Sequence, residues 1–325
     1  MDEIIKRRKL ADYHKRKQLM AKRRCLFPGC TEIAINSHLL QKRGILDNLA
    51  VDGHLFIVDT MSPFNMELEK LPLEFRRVGL KEVLALPLFC NKHDTELFTD
   101  IEVGTVDHFD YRTQILFTYR SLAGELRKKE ISADLLGAMM NDSEVRILMP
   151  GHLIYKTEVK LQGFLLGISD INWYLHEIEE YLSSPGVKNF TFITREMKQL
   201  DVCASAGFTP MDFQQILDPI QELPLSSLSV NIVPRKKLCY LIVGTHNHMI
   251  TPWISGFMGG CDAADDAEME NIISNILLKR CETWAMSPRL YDKLRREDRE
   301  RILEELHMDV MSHDQNLFTS FNIFK

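Results

Sequence analysis

The sequence is poor in cysteine and has no long apolar run. Seven cysteines in 325 residues, an odd and scattered set, exclude a disulfide framework and suit a chain kept in a reducing cytoplasm. No stretch reaches the roughly 18 apolar residues that a membrane-spanning helix needs. The amino terminus is charged from Asp2 onward, without an apolar segment of the secretory kind, so no membrane partner is expected. There is no internal repeat and no low-complexity segment, which argues against a solenoid. The glycines of "GFMGGCDAADD", from Gly256, are not followed by Gly-Lys-Ser/Thr, so they do not form a phosphate loop. What remains is globular: 45% hydrophobic and 26% charged, with length enough for two or three domains and a sizeable core.

Charge is unevenly spread. Residues 1–24 hold ten Lys/Arg against three Asp/Glu, a net of +7, which leaves −13 on the rest of a chain whose formal charge is −6. A basic arm on an acidic body suggests a polyanion contacted through one end, nucleic acid first; a solvated charged helix has the same composition. The cations that would meet phosphates are Lys6, Arg7, Arg8, Lys15, Arg16, Lys17, Lys22, Arg23 and Arg24.

The hydrophobic pattern gives an α+β chain. Few breakers and many long side chains predict a helix over the arm. Pro28-Gly29 predicts a turn inside "CLFPGC", and residues 53–60, "GHLFIVDT", read as a strand. Residues 61–87, with three prolines, read as an excursion, and a helix is expected from about Asn91. A helical middle follows over 111–183, where Leu161, Phe164, Leu165, Ile168, Leu175 and Ile178 keep a helical period until Ser184, Pro185 and Gly186 stop it. Short runs rich in Val, Ile and aromatics between about 188 and 245 predict a small, mainly antiparallel sheet. Helices return over 265–308, one of them opened by Ser287 and Pro288. The expected organisation is therefore a helical arm over 1–24, a small domain over 25–110, and an α+β body over 111–325.

The strongest chemical signal joins two distant stretches. Cys25 and Cys30 flank the Pro-Gly turn, which can aim two sulfurs at one centre. Cys90 and His93 are spaced C-x2-H at the expected helix start, where both side chains share the first turn. Cys3His is a closed, four-coordinate zinc set, and a small region with a thin core would need that ion to hold together. Any one of these cysteines alone would read as a buried structural thiol, and the other four, Cys203, Cys239, Cys261 and Cys281, are read that way.

"CLFPGC", "NSHLLQ" and "FCNKHDTELF" together resemble the treble-clef (ββα-metal) zinc domain of the HNH nuclease superfamily, over about residues 24–107. The resemblance implies a knuckle pair, Cys25 and Cys30, and a helix pair, Cys90 and His93, around a structural Zn2+. It also implies His38 as general base and Asp94 as ligand of a catalytic Mg2+ or other hard divalent ion. Asn48 is the candidate for the family's middle asparagine. Three positions depart from the pattern: Ser37 stands where the family has an acid, His93 where cysteine is commoner, and Asp94 where histidine is commoner; the gap from His38 to Cys90 is also far longer than a minimal motif needs, and no clear asparagine stands just before Cys90. By this resemblance the function would be metal-dependent hydrolysis of nucleic-acid phosphodiesters, with His38 taking the proton of the attacking water. The alternatives are a non-catalytic zinc-stabilised nucleic-acid-binding module, or a zinc-stabilised scaffold whose body binds a protein or a second copy of itself.

Other candidates are weaker. His246 and His248 lie two apart at the end of an apolar strand, able to share an ion or to sit at a loop mouth. Asp262, Asp265 and Asp266 suit a metal or a helix start. Trp173, Trp253 and Trp284 read as core or rim aromatics. The aromatic tail "NLFTSFNIFK" is expected to tuck against the body or a partner.

Overall fold

A computed structural model of the chain describes residues 2–61, 72–102, 106–210, 224–311 and 318–325. Part of the 61–87 excursion and the start of the aromatic tail lie outside these residues. The arm forms helix α1 (Asp2–Leu19). After the Cys25–Cys30 turn come β1 (Asn36–His38), a short helix α2 (Asp47–Leu49), β2 (His54–Thr60), β3 (Leu73–Gly79), β4 (Ala85–Pro87) and α3 (Asn91–Glu102). Two long helices follow, α4 (Tyr111–Asn141) and α6 (Gly151–Ser183), joined by the short α5 (Ser143–Leu148). The strands β5 (Phe190–Lys198), β6 (Val202–Phe208), β7 (Leu228–Pro234) and β8 (Leu238–His246) precede α7 (Pro252–Ala263) and α8 (Asp266–Lys279). The chain closes with β9 (Trp284–Met286), α9 (Pro288–Lys293) and α10 (Arg296–Met311).

The sheet is larger than the sequence pattern suggests. Among the described residues it has seven strands in the order β3-β2-β9-β6-β7-β8-β5, every pairing antiparallel. The expected strands β5 to β8 form one side. The other side is built by β9, too short to show a pattern, and by β2 and β3, which arrive from the segment between the two cysteine pairs. The joint is narrow: Phe56 of β2 sits opposite Met286 of β9.

Strand alternation sorts the side chains onto two cores. Val202, Ala204, Leu228, Val230, Ile232, Leu241 and Val243 face α7, α8 and α10. Cys203, Val233 and Ile242, on the opposite face, join a core shared with α4, α6 and the Cys/His region. Covered on both sides, β7 is buried along its whole length, including the polar Ser229 and Asn231 that alternate with Leu228, Val230 and Ile232.

Helix α4 lies at the centre. Asp110 caps it by accepting from the Thr113 amide at 2.9 Å, and residues Thr113–Arg127 are buried without interruption. Such a helix must pair every charge it buries. Arg120, 1% exposed, meets Glu102 at 2.7 Å and Asp94 at 3.5 Å and lies 3.9 Å above the Phe98 ring. Gly124 lets α4 approach the segment after β1, since a Cβ there would stand 2.6 Å from Leu39 Cδ2. The tail docks as expected: Ile323 is buried, and Thr319 exchanges hydrogen bonds with Asn275 of α8 at 2.8 and 3.0 Å.

Candidate metal centre

The turn "CLFPGC" folds as its residues require. Gly29 takes φ +71°, the left-handed region that glycine enters without strain. The Cys30 amide donates to the Phe27 carbonyl at 3.1 Å and the Cys25 amide to Glu32 at 2.9 Å, which closes the knuckle. Its backbone is then tied to the strand entering α3: Leu26 N–H bonds the Leu88 carbonyl at 2.9 Å, and Ile35 N–H the Phe89 carbonyl at 2.8 Å. β1 pairs antiparallel with β4, Ser37 opposite Leu86. This stitching brings the two ligand pairs together.

One ligand atom from each of Cys25, Cys30, Cys90 and His93 lies within 4.8 Å of the others. Cys25 Sγ is 3.5 Å from His93 Nδ1, Cys90 Sγ 3.3 Å from the same nitrogen, and Cys30 Sγ 3.9 Å from Cys90 Sγ. Tetrahedral zinc with sulfurs about 2.3 Å away would separate them by about 3.7 Å. The donor set and its spacing therefore fit a divalent metal such as Zn2+. Protons and burial fit as well. Without an ion, burial pushes the Cys25 thiol up to about 11, whereas the His93 amide, at the start of α3, draws the Cys90 thiol below its ordinary value. Metal binding would displace protons from these thiols.

Several supporting residues escaped the sequence reading. Phe27 stacks on the His93 ring, centroids 4.0 Å apart, and fixes the imidazole. Arg127 of α4 donates from Nη2 to the Arg24 carbonyl at 2.5 Å and so holds the residue before Cys25 in place. Three thiolates around Zn2+ leave one net negative charge, which this buried guanidinium would offset. Arg120 and Arg127 lie in the mainly apolar run "ILFTYRSLAGELR", whose third charge is Glu125. Cations at apolar spacing were the one available signal, and they name no partner by themselves.

The residues matched to catalysis are engaged separately. His38 Nε2 bonds the Leu80 carbonyl at 2.8 Å. Asn48 Nδ2 donates to the Gly44 carbonyl at 2.6 Å. Asp94 pairs with Arg120. Among the described residues no hydrogen bond or ion pair joins the three.

The basic arm is docked. α1 packs on α4 and α5. Buried His14 meets Asp142 at 2.9 Å, Lys6 meets Glu144 at 3.3 Å, and Arg23 pairs with Asp134. Arg16 pairs with Asp12 at 2.8 Å, and Lys15 donates to Thr60 at 2.9 Å. Lys9, Lys17, Lys22 and Arg24 remain exposed, without an ion pair among the described residues; Arg8 is half-buried.

The remaining candidates resolve into structure. His246 is buried and bonds Glu177 at 3.4 Å, while its Nδ1 accepts from the His248 amide; this is a core histidine rather than one at a loop mouth. Asp265 forms a capping box with Glu268 at the start of α8. Cys203, Cys239, Cys261 and Cys281 are all buried. No helix among the described residues is long and apolar enough to cross a membrane. Comparison with family models, with curated proteins and with solved structures finds no match to this chain.

Proposed function

We propose that the chain is a non-catalytic, zinc-stabilised module that binds nucleic-acid backbone through the exposed cations of its amino-terminal region. The observation that carries the reading is the convergence of Cys25, Cys30, Cys90 and His93 in a region whose catalytic candidates are each tied to another group. The order of knuckle, two-stranded β1–β4 ladder and α3 supports a treble-clef reading, in which Zn2+ would be the structural ion. Lys9, Lys17, Lys22 and Arg24 supply sequence-blind attraction for phosphates, and the acidic remainder of the chain confines that attraction to one end. Binding should weaken linearly in log salt. Replacing these four cations with glutamine should flatten the slope by about 3 to 4, with zinc content unchanged. A slope that stays the same would remove the amino-terminal cations as the contact.

A second reading, HNH-type hydrolysis, draws support from position: His38 is on the first strand beside the zinc knuckle, and Asp94 directly follows the last ligand. On that reading His38 is the base and Asp94 holds Mg2+ or another divalent ion. Mg2+-dependent cleavage of DNA or RNA by the wild type, lost in His38→Ala with zinc retained, would replace the non-catalytic account. A third reading makes the body a protein-binding scaffold. It predicts partner binding that is indifferent to loss of residues 1–24.

A further inference from the structure

Helix α1 rests on α4 and α5 with almost no apolar surface between them. Over residues 5–19 the one buried side chain is that of His14. The larger apolar side chains face solvent, with Tyr13 57% and Leu19 62% exposed. A helix that is polar all round gains little from burial, so charge must hold it. The charges come from an acidic seat on the body. Asp142, between α4 and α5, meets His14 at 2.9 Å, and Glu144 of α5 meets Lys6 at 3.3 Å. The Lys6 pair is more than half exposed on both sides, the kind of contact that water and salt weaken most. His14 is itself an imperfect anchor, because its buried Nδ1 has no hydrogen-bond partner among the described residues. The root of the arm is firm by contrast. Arg24 bridges to Ile33, its carbonyl accepts from Arg127, and Arg23 pairs with Asp134. Between root and helix lie Met20, Ala21 and Lys22, outside helix and strand, which form a short pivot.

We propose that this seat is an internal competitor for the polyanion: α1 sits on Asp142 and Glu144 in the free chain and exchanges them for phosphates when nucleic acid binds. The two carboxylates offer the arm's cations what a phosphate backbone offers, at an effective concentration set by the short pivot. The exchange swings α1 about residues 20–22 while Arg23, beside the fixed root, keeps Asp134. It frees Lys6, and with it Lys15, which donates to Thr60 at 2.9 Å, to join the cations already exposed. Whatever the seat contributes to docking is subtracted from binding, because the arm must leave one to reach the other. A backbone of closely spaced charges, taking several arm cations at once, therefore displaces the seat where a single phosphate does not. The proposal rests on the nucleic-acid reading for its ligand. Docking of the arm is measured without nucleic acid, so the two can fail separately.

The test uses the full-length, zinc-loaded chain and the double variant Asp142→Asn, Glu144→Gln. Asparagine keeps the α5 cap that Asp142 supplies by accepting from the Glu144 amide at 2.9 Å. Without nucleic acid, hydrogen–deuterium exchange over α1 should be faster in this variant than in the wild type. In fluorescence anisotropy at about 0.1 M salt, the variant should bind a short DNA duplex about fivefold tighter or more. Asp266→Asn with Glu297→Gln removes the same charge from exposed sites on α8 and α10, on the sheet's other face, and should change affinity by under about twofold. Adding duplex to the wild type should speed exchange over α5 as the arm leaves it. A seat variant that binds no tighter than this control, or an α5 whose exchange the duplex does not raise, would overturn the competition and leave the nucleic-acid reading standing. If neither wild type nor seat variant binds duplex, that reading falls and takes the competition with it, even where the variant's arm is loose.

Discussion

Removing one metal ligand should destabilise the whole chain by an amount set by the loop that the ion closes. Cys30 and Cys90 are 60 residues apart. A cross-link closing a loop of that length withdraws about 4 kcal/mol of conformational freedom from the unfolded chain. Cys25 and Cys90 belong to the same buried cluster as α4 and α6, so the loss should appear in the main unfolding transition rather than in a separate early one. Against a typical total of about 5–15 kcal/mol, and at about 2 °C per kcal/mol for a chain of this size, Cys90→Ser should lower Tm by about 8 °C and abolish zinc in elemental analysis. Cys261→Ala, a buried thiol outside the cluster, should lower Tm by a smaller, cavity-sized amount and keep the zinc. Differential scanning calorimetry, with and without a chelator, reads both. A wild-type protein that purifies folded, holds no zinc and melts at the same temperature as Cys90→Ser would refute the reasoning.

Acid sensitivity should come in part from His108. It is buried, stacked 4.0 Å from Tyr240 and faced by Arg235; burial first and that guanidinium second lower its pKa from 6.5 to about 4. The unfolded chain therefore binds the extra proton at higher pH, and stability falls as pH drops from about 6.5 to about 4, by at most about 3 kcal/mol. His108→Gln should flatten urea-unfolding stability over that window. Arg120→Met, by stranding Asp94 and Glu102, should cost about 3 kcal/mol, whereas Asp94→Asn should cost under about 1 kcal/mol, because that carboxylate is partly solvated. Ile323→Ala should cost about 2–4 kcal/mol by opening a void beneath the tail, visible as a lower urea midpoint at unchanged slope.

Features legible in the sequence were those written locally. The knuckle needs only Cys25, Pro28, Gly29 and Cys30 in order. The helix pair needs only three residues' spacing, and β5 to β8 announce themselves by side-chain type. Ser287 followed by Pro288 marked α9 correctly. Thr251 followed by Pro252 marks α7 by the same rule, but three glycines within that helix hid it. Long-range partners were not legible. Nothing near Asp94 names Arg120, and nothing in "NSH" names the Leu80 carbonyl. A count of positive charges over 1–24 does not show that Asp134, Asp142 and Glu144 neutralise part of the arm. The size of the sheet was missed for the same reason: β2 finds β9 across more than two hundred residues.

The β1–β4 ladder and the main sheet share one stretch of chain. Residues leave the small ladder at His38, travel out to add two strands to the large sheet, and return to the ladder at Ala85. A tug on either sheet is thus felt at the other, and an ion held by the four ligands would clamp the point where the detour begins and ends. A fragment cut out around the four ligands would carry β2 and β3 with Phe56, Val58 and Phe75 stripped of the aromatic and aliphatic surface that covers them. It should clump rather than stay dispersed, however well it holds its metal.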